Sequence, residues 1–97
     1  MLELPMIRSF KDRHTANFFG GKSVKKYSGF KNSAERKLTI LDNAVQLRDL
    51  KSPSGNKLEK LTGNRAGEYS IRINNQWRIC FVWKEDGPYD VEITDYH

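Results

Sequence analysis

Asp95, Tyr96 and His97 place a carboxylate, a phenol and an imidazole on the last three positions of a 97-residue sequence. Each can move a proton or meet an anion, and an imidazole does so near neutral pH. Upstream, Gln76-Trp77-Arg78 sets a lone arginine at the start of the most apolar stretch of the chain. Read together, the two segments point to acid–base chemistry beside a phosphate. Chain ends usually fray and seldom carry chemistry. The terminal triplet is therefore useful only where the last strand is held inside a sheet and delivers it to a cleft.

The elements that must do this holding are legible in the periodicity. Ile7-Arg8-Ser9-Phe10 alternates apolar and polar residues and predicts a short strand. Asp12 is placed to cap a short helix ending at Gly20-Gly21, and Lys22 to Gly29 reads as a solvated basic loop. A longer helix starts near Asn32 or Ser33, with Ala34, Leu38, Leu41 and Val45 at helical spacing. Ile40, Ala44 and Leu47 widen its apolar stripe, while Glu35, Arg36, Lys37, Asp42 and Asn43 fall on the wet side. Ser52-Pro53-Ser54-Gly55 marks a loop, and Leu58 and Leu61 frame a short segment before the turn Gly63-Asn64-Arg65-Ala66-Gly67.

From there the period is two. Tyr69, Ile71 and Ile73 alternate with Ser70, Arg72 and Asn74, and Asn74-Asn75 is a hairpin signal. Arg78 to Trp83 is almost continuously apolar, as a central strand is. Glu85-Asp86-Gly87-Pro88 turns the chain into a last strand from Val91 to Thr94. The order is β-α-α followed by an antiparallel β-meander, an α+β fold with two helices packed on one face of the sheet.

Pleat alternation then assigns faces. Ile71, Ile73, Ile79, Phe81, Trp83, Val91 and Ile93 look towards the helices. Ser70, Arg72, Arg78, Cys80, Val82, Glu92, Thr94 and Tyr96 look the other way, so Arg78 and Tyr96 share the open face. His97 falls on the helix-side parity, although a final residue turns freely. Taken singly, each of these groups is most often structural: a strand arginine is a solvated edge or an ion-pair partner, and a terminal histidine is simply exposed. Their joint placement at one sheet end is what points to a site.

Composition narrows the classes. One core is all that 97 residues can build. Eleven aromatics argue against disorder, although 30% of the residues are charged. Seventeen Lys and Arg against twelve Asp and Glu give a net charge of +5, which favours an anionic partner, nucleic acid or an acidic protein. The single thiol, Cys80, excludes an internal disulfide and fits a reducing cytoplasm. It sits inside an apolar strand and reads as packing, not as a nucleophile. Two histidines and one cysteine at distant positions give no zinc spacing, and no apolar run reaches the ~18 residues of a membrane span.

From Met6 to His97 the sequence resembles the RelE superfamily of bacterial toxins, in its HigB branch. The matching segments are Met6-Ile7-Arg8-Ser9-Phe10, Leu61-Thr62-Gly63-Asn64-Arg65-Ala66-Gly67 and Tyr69-Ser70-Ile71, with Asn75-Gln76-Trp77-Arg78-Ile79 and the closing Asp95-Tyr96-His97. Residues 6–97 then form a single toxin domain, and Met1 to Pro5 a short extension. The resemblance implies a RelE-like microbial RNase fold and a metal-independent, ribosome-dependent endoribonuclease that cuts mRNA in the ribosomal A site. It further implies a helix-turn-helix antitoxin of the HigA type as partner, a cytoplasmic location, and neither cofactor nor metal.

On that reading Arg78 is the phosphate clamp, since its planar fork matches phosphate oxygens. His97 serves as base or acid, Asp95 orients it or acts as base, and Tyr96 stacks on a base or stabilises the scissile phosphate. Lys57, Lys60, Arg65 and Arg72 supply contacts to the RNA backbone. Relatives often carry a His and a Lys where this sequence has Glu59 and Thr62, so either Glu59 shares the proton work with His97, or activity is weak and RNA positioning dominates. The alternatives are a non-catalytic basic module that binds RNA or an acidic protein, and a toxin remnant that only binds its antitoxin.

Overall fold

A computed structural model describes residues 6–95. Its α+β architecture has two α-helices, α1 (Arg13–Phe19) and α2 (Lys31–Asn43), followed by four strands: β1 (Glu59–Lys60), β2 (Tyr69–Arg72), β3 (Arg78–Lys84) and β4 (Gly87–Thr94). The strands form one antiparallel meander in the order β1-β2-β3-β4. β3, the most apolar strand, is interior, as its composition requires.

Asp12 caps α1 from an extended conformation, accepting the Thr15 N–H at 3.2 Å. Thr15 then works across layers: its buried hydroxyl oxygen accepts the Ile93 N–H at 3.0 Å. Ala34, Leu38 and Leu41 of α2 pack with Phe18 of α1 against Ile71, Ile79, Phe81, Val91 and Ile93 of the sheet, and all are buried. Removing a large side chain such as Phe81 from this layer would cost about 3–5 kcal/mol.

Four details differ from the sequence reading, each for a local reason. The residues around Ile7 to Phe10 form no full strand. They run along the outer edge of β4 as a parallel bridge at Phe10 and Val91, with Arg8 N–H to Pro88 O at 2.9 Å and Val91 N–H to Ser9 O at 3.1 Å. This segment occupies an edge that would otherwise be open to pairing. It crosses Gly87 so closely that a Cβ there would lie 2.2 Å from the Met6 carbonyl oxygen.

The supposed basic loop contains a 3-10 turn, Lys25–Phe30, because Tyr27 is wholly buried; its ring meets Phe18 edge-on at 5.3 Å and Trp77 at 6.0 Å. α2 follows directly from that turn, so neither Asn32 nor Ser33 caps it; the Ser33 hydroxyl instead donates to Ile73 O at 3.1 Å. α2 also ends before Val45, which is exposed, and buries Lys37 on the side expected to be wet. The Lys37 ammonium donates to Asn56 Oδ1. Asn56, fully buried, donates in turn to Leu50 O at 3.1 Å and Ser52 O at 3.3 Å. Burial lowers the Lys37 pKa, with Arg36 adding to the effect.

Candidate active site

The meander register builds two rows on the sheet face away from the helices. Arg72 pairs with Arg78, and Arg78 pairs with Thr94. One step along, Glu59 pairs with Ser70, Ser70 with Cys80, and Cys80 with Glu92. Like charges directly opposite on neighbouring strands are destabilising. Arg72 and Arg78 occupy such a pair, and neither forms an ion pair among the described residues. An anion between them would relieve the repulsion.

Arg78 is held at two points. Its Nε donates to Ser70 Oγ at 2.8 Å and its Nη2 to the Lys57 carbonyl at 2.7 Å. Lys57 adopts a left-handed conformation (φ 48°, ψ 54°) at the end of the 3-10 turn Ser54–Asn56, which turns its carbonyl towards the guanidinium. The chain just before it is fixed by the buried Lys37–Asn56 hub. Two of the five N–H groups of a guanidinium are thereby spent on orientation, and the others remain for a ligand. Arg72 instead curls back on its own hairpin: Nε donates to Asn74 O at 3.1 Å and Nη2 to Asn75 Oδ1.

The other expected site residues fall into three groups. Glu59 is exposed on the same face as Arg78; it pairs with Ser70 across the strands, and Ser70 accepts from Arg78. Asp95 follows directly on Thr94, the strand partner of Arg78, and its Oδ2 accepts from Gln76 Nε2 at 2.8 Å. Glu59 thus lies on the face of Arg78, one row along, whereas Asp95, one residue past Thr94, falls on the other parity and is held by Gln76. Tyr96 and His97 lie outside the described residues.

Lys60 pairs with Tyr69 and projects to the helix side of β1, away from Arg78. Arg65 is engaged with carboxylates: Nη1 lies 3.2 Å from Glu68 Oε1 and 3.3 Å from Glu92 Oε1. Its charge is balanced where it stands. These pairs draw the Gly63–Glu68 segment across the sheet face, and Gly67 takes the left-handed φ of 96° that this turn requires. Ser70 and Cys80 are therefore fully buried on the face read as open. Burial pushes the Cys80 thiol up to about 11, with Arg65 and Arg78 pulling the other way and losing. It is a protonated packing residue at neutral pH. Among the described residues no group of three or more His, Cys, Asp or Glu is placed to hold a metal ion.

Sequence reasoning missed Ser70, Gln76 and the Lys57 carbonyl. Ser70 carried a usable signal, since the Asn74-Asn75 hairpin sets it opposite Cys80 and one pleat from Arg78. Asn74 also fixes the turn through its side chain, accepting from Gln76 N at 2.8 Å and Trp77 N at 2.7 Å. The Lys57 carbonyl left no trace, because a backbone group has no residue type.

Comparison with known proteins matches residues 8–97 to the HigB-like toxin family, described as the RelE-like toxin of the type II toxin–antitoxin system HigB. The chain is 40% identical over 80 residues to Toxin HigB-1 of Vibrio cholerae serotype O1, covering 80% of this chain and 84% of that protein. It is 33% identical over 61 residues to Endoribonuclease HigB of Proteus vulgaris, covering 63% and 65% respectively. Among solved structures, a chain of the YoeB–YefM complex from Staphylococcus aureus aligns over 99% of both chains with a TM-score of 0.57 at 21% identity. That likeness establishes the shared fold.

Proposed function

The chain belongs to the HigB-like family of RelE-like toxins of type II toxin–antitoxin systems, and we propose that it is an endoribonuclease that cleaves mRNA in the ribosomal A site. The observation that carries this reading is the arginine at the sheet end: Arg78, anchored twice, paired across the strands with Arg72, and on the same face as Glu59. Two cations paired across neighbouring strands suit a phosphodiester better than they suit a neutral ligand.

In the proposed reaction a base takes the proton of a ribose 2′-OH, and the O2′–P bond forms. Negative charge grows on the phosphorane oxygens, where the unspent N–H groups of Arg78 meet it. The P–O5′ bond then breaks, and an acid gives the departing oxygen its proton. The products are a 2′,3′-cyclic phosphate and a 5′-OH end. Glu59 is suited to the base role, since an ionised carboxylate accepts but does not donate. His97 is assigned the acid role, Asp95 orients it, and Tyr96 stacks on or braces the scissile nucleotide. No step requires a metal.

The whole of 6–97 acts as one toxin domain in this account, with Met1 to Pro5 as an extension. Its partners are the ribosome with its mRNA and a cognate helix-turn-helix antitoxin that neutralises it, all in the cytoplasm. Induction without antitoxin tests the reading: growth arrest should be accompanied by mRNA cuts mapped by primer extension, and both should vanish in Arg78→Ala. Arrest without cuts would favour a basic binding module, and no arrest would favour a remnant that binds only its antitoxin.

A further inference from the structure

We propose that the groove between the 3-10 turn Leu47–Lys51 and β1 is a second RNA-binding site, holding single-stranded nucleotides that flank those at Arg78. The inference rests on the endoribonuclease reading and adds a site outside the chemistry. The groove is a cavity of about 490 Å³. Leu47, Leu58 and Tyr69 form a half-buried floor, and Arg48, Lys51 and Lys60 an exposed rim. No carboxylate lines it. Asp49, the nearest in sequence, is committed elsewhere, its Oδ2 accepting the Val45 and Gln46 N–H groups at 3.1 and 2.9 Å. None of the three rim cations forms an ion pair among the described residues.

An aromatic ring below unpaired cations is how single-stranded nucleic acid is commonly held, with bases stacked on the ring and phosphates on the cations. The groove adjoins the Arg78 site across the edge strand β1. The Lys57 carbonyl is gripped by Arg78, and the next residue, Leu58, is groove wall. β1 splits its two side chains accordingly: Glu59 projects to the Arg78 face, and Lys60, paired with Tyr69, to the groove. An RNA strand leaving Arg78 would pass the exposed Lys57 and round the β1 edge to reach the groove. That adjacency, with a tyrosine ring beneath a rim of three cations, favours RNA over an acidic peptide as occupant.

The test uses fluorescence anisotropy with a labelled 2′-O-methyl RNA of about 12 nucleotides, which cannot be cut and exceeds the shortest site sizes of single-strand binders. Tyr69→Phe should bind as the parent does, whereas Tyr69→Leu should bind about tenfold more weakly through loss of stacking. The combined change R48A/K51A/K60A, all at exposed positions, should weaken binding at least about tenfold and lower the salt slope by about two to three. Parent-like binding by both Tyr69→Leu and the triple variant overturns the proposal. So does groove-dependent binding of an acidic, leucine-containing peptide with RNA binding unchanged. Mapping cuts in the same variants separates the two failures. If the groove alone is wrong, Arg78→Ala is silent while the groove variants cut normally; if the nuclease reading is wrong, Arg78→Ala changes nothing.

Discussion

Ser70→Ala tests what the anchoring of Arg78 contributes. The change removes one hydroxyl from a fully buried site and leaves the arginine and its charge in place. The lost contact is Nε to Oγ at 2.8 Å, a hydrogen bond to a charged donor. Such bonds contribute about 1.5–3 kcal/mol. Arg78 is half-buried, so water partly replaces the lost acceptor and the lower end, about 1.5 kcal/mol, applies. Where that energy holds the guanidinium in the phosphate-binding rotamer, its loss corresponds to about tenfold in rate, since 1.36 kcal/mol is tenfold. The assay is single-turnover cleavage of mRNA on programmed ribosomes, with thermal melts run in parallel. Ser70→Ala should cut about tenfold more slowly and melt about 7 °C lower. In an Arg78→Ala background the same serine change should have no further effect on the binding of an uncleavable 2′-O-methyl RNA, because Ser70 acts through Arg78. A binding loss that persists without Arg78, or parent-like cutting by Ser70→Ala, would refute the argument.

Three further outcomes follow from the packing. Asn56→Leu strands the buried Lys37 ammonium and should cost about 3 kcal/mol or more, whereas adding Lys37→Met should restore much of it; urea midpoints measure both. Burial holds the Cys80 thiol protonated up to about 11 against an ordinary 9.0, so above pH ~9 the unfolded chain releases a proton that the folded chain keeps. That contribution is fully present below pH ~9 and declines towards 11, by about 2 kcal/mol; Cys80→Ala should flatten the fall in denaturant midpoint between pH ~8.5 and ~10.5. Gly87→Ala meets both a φ of 129° and the Met6 carbonyl, and should cost about 2 kcal/mol or more while exposing the Val91 amide to hydrogen exchange; unchanged protection would show that the N-terminal segment does not cover the β4 edge.

The sheet was the most legible part of the sequence, for reasons tied to particular residues. The unbroken apolar run after Arg78 identified the interior strand, and Asn74-Asn75 set the hairpin that pairs Arg72 with Arg78. What escaped was whatever depended on a long-range partner. Tyr27 sits among lysines and looks solvated until Phe18 and Trp77 are seen closing over it. Lys37 carries the charge of a surface residue, and only the buried amide of Asn56, nineteen positions away, allows it inside. The same holds for the site. Pleat and register set Glu59 on the face of Arg78, whereas the carbonyl of Lys57 enters through a left-handed turn that no residue type announces. Arg65 illustrates the reverse case, a cation in a turn whose charge Glu68 and Glu92 have already met.

The central claim is that the sheet-end arginine organises RNA cleavage on the ribosome. The most direct measurement is end-mapping of a defined mRNA on purified ribosomes, with each codon in turn placed in the A site and purified protein added. The account predicts cuts within the A-site codon by the parent chain, leaving 2′,3′-cyclic phosphate and 5′-OH ends, and none by a folded Arg78→Ala variant. Cutting by that variant at the parent rate, or at the same positions on mRNA free of ribosomes, would contradict it.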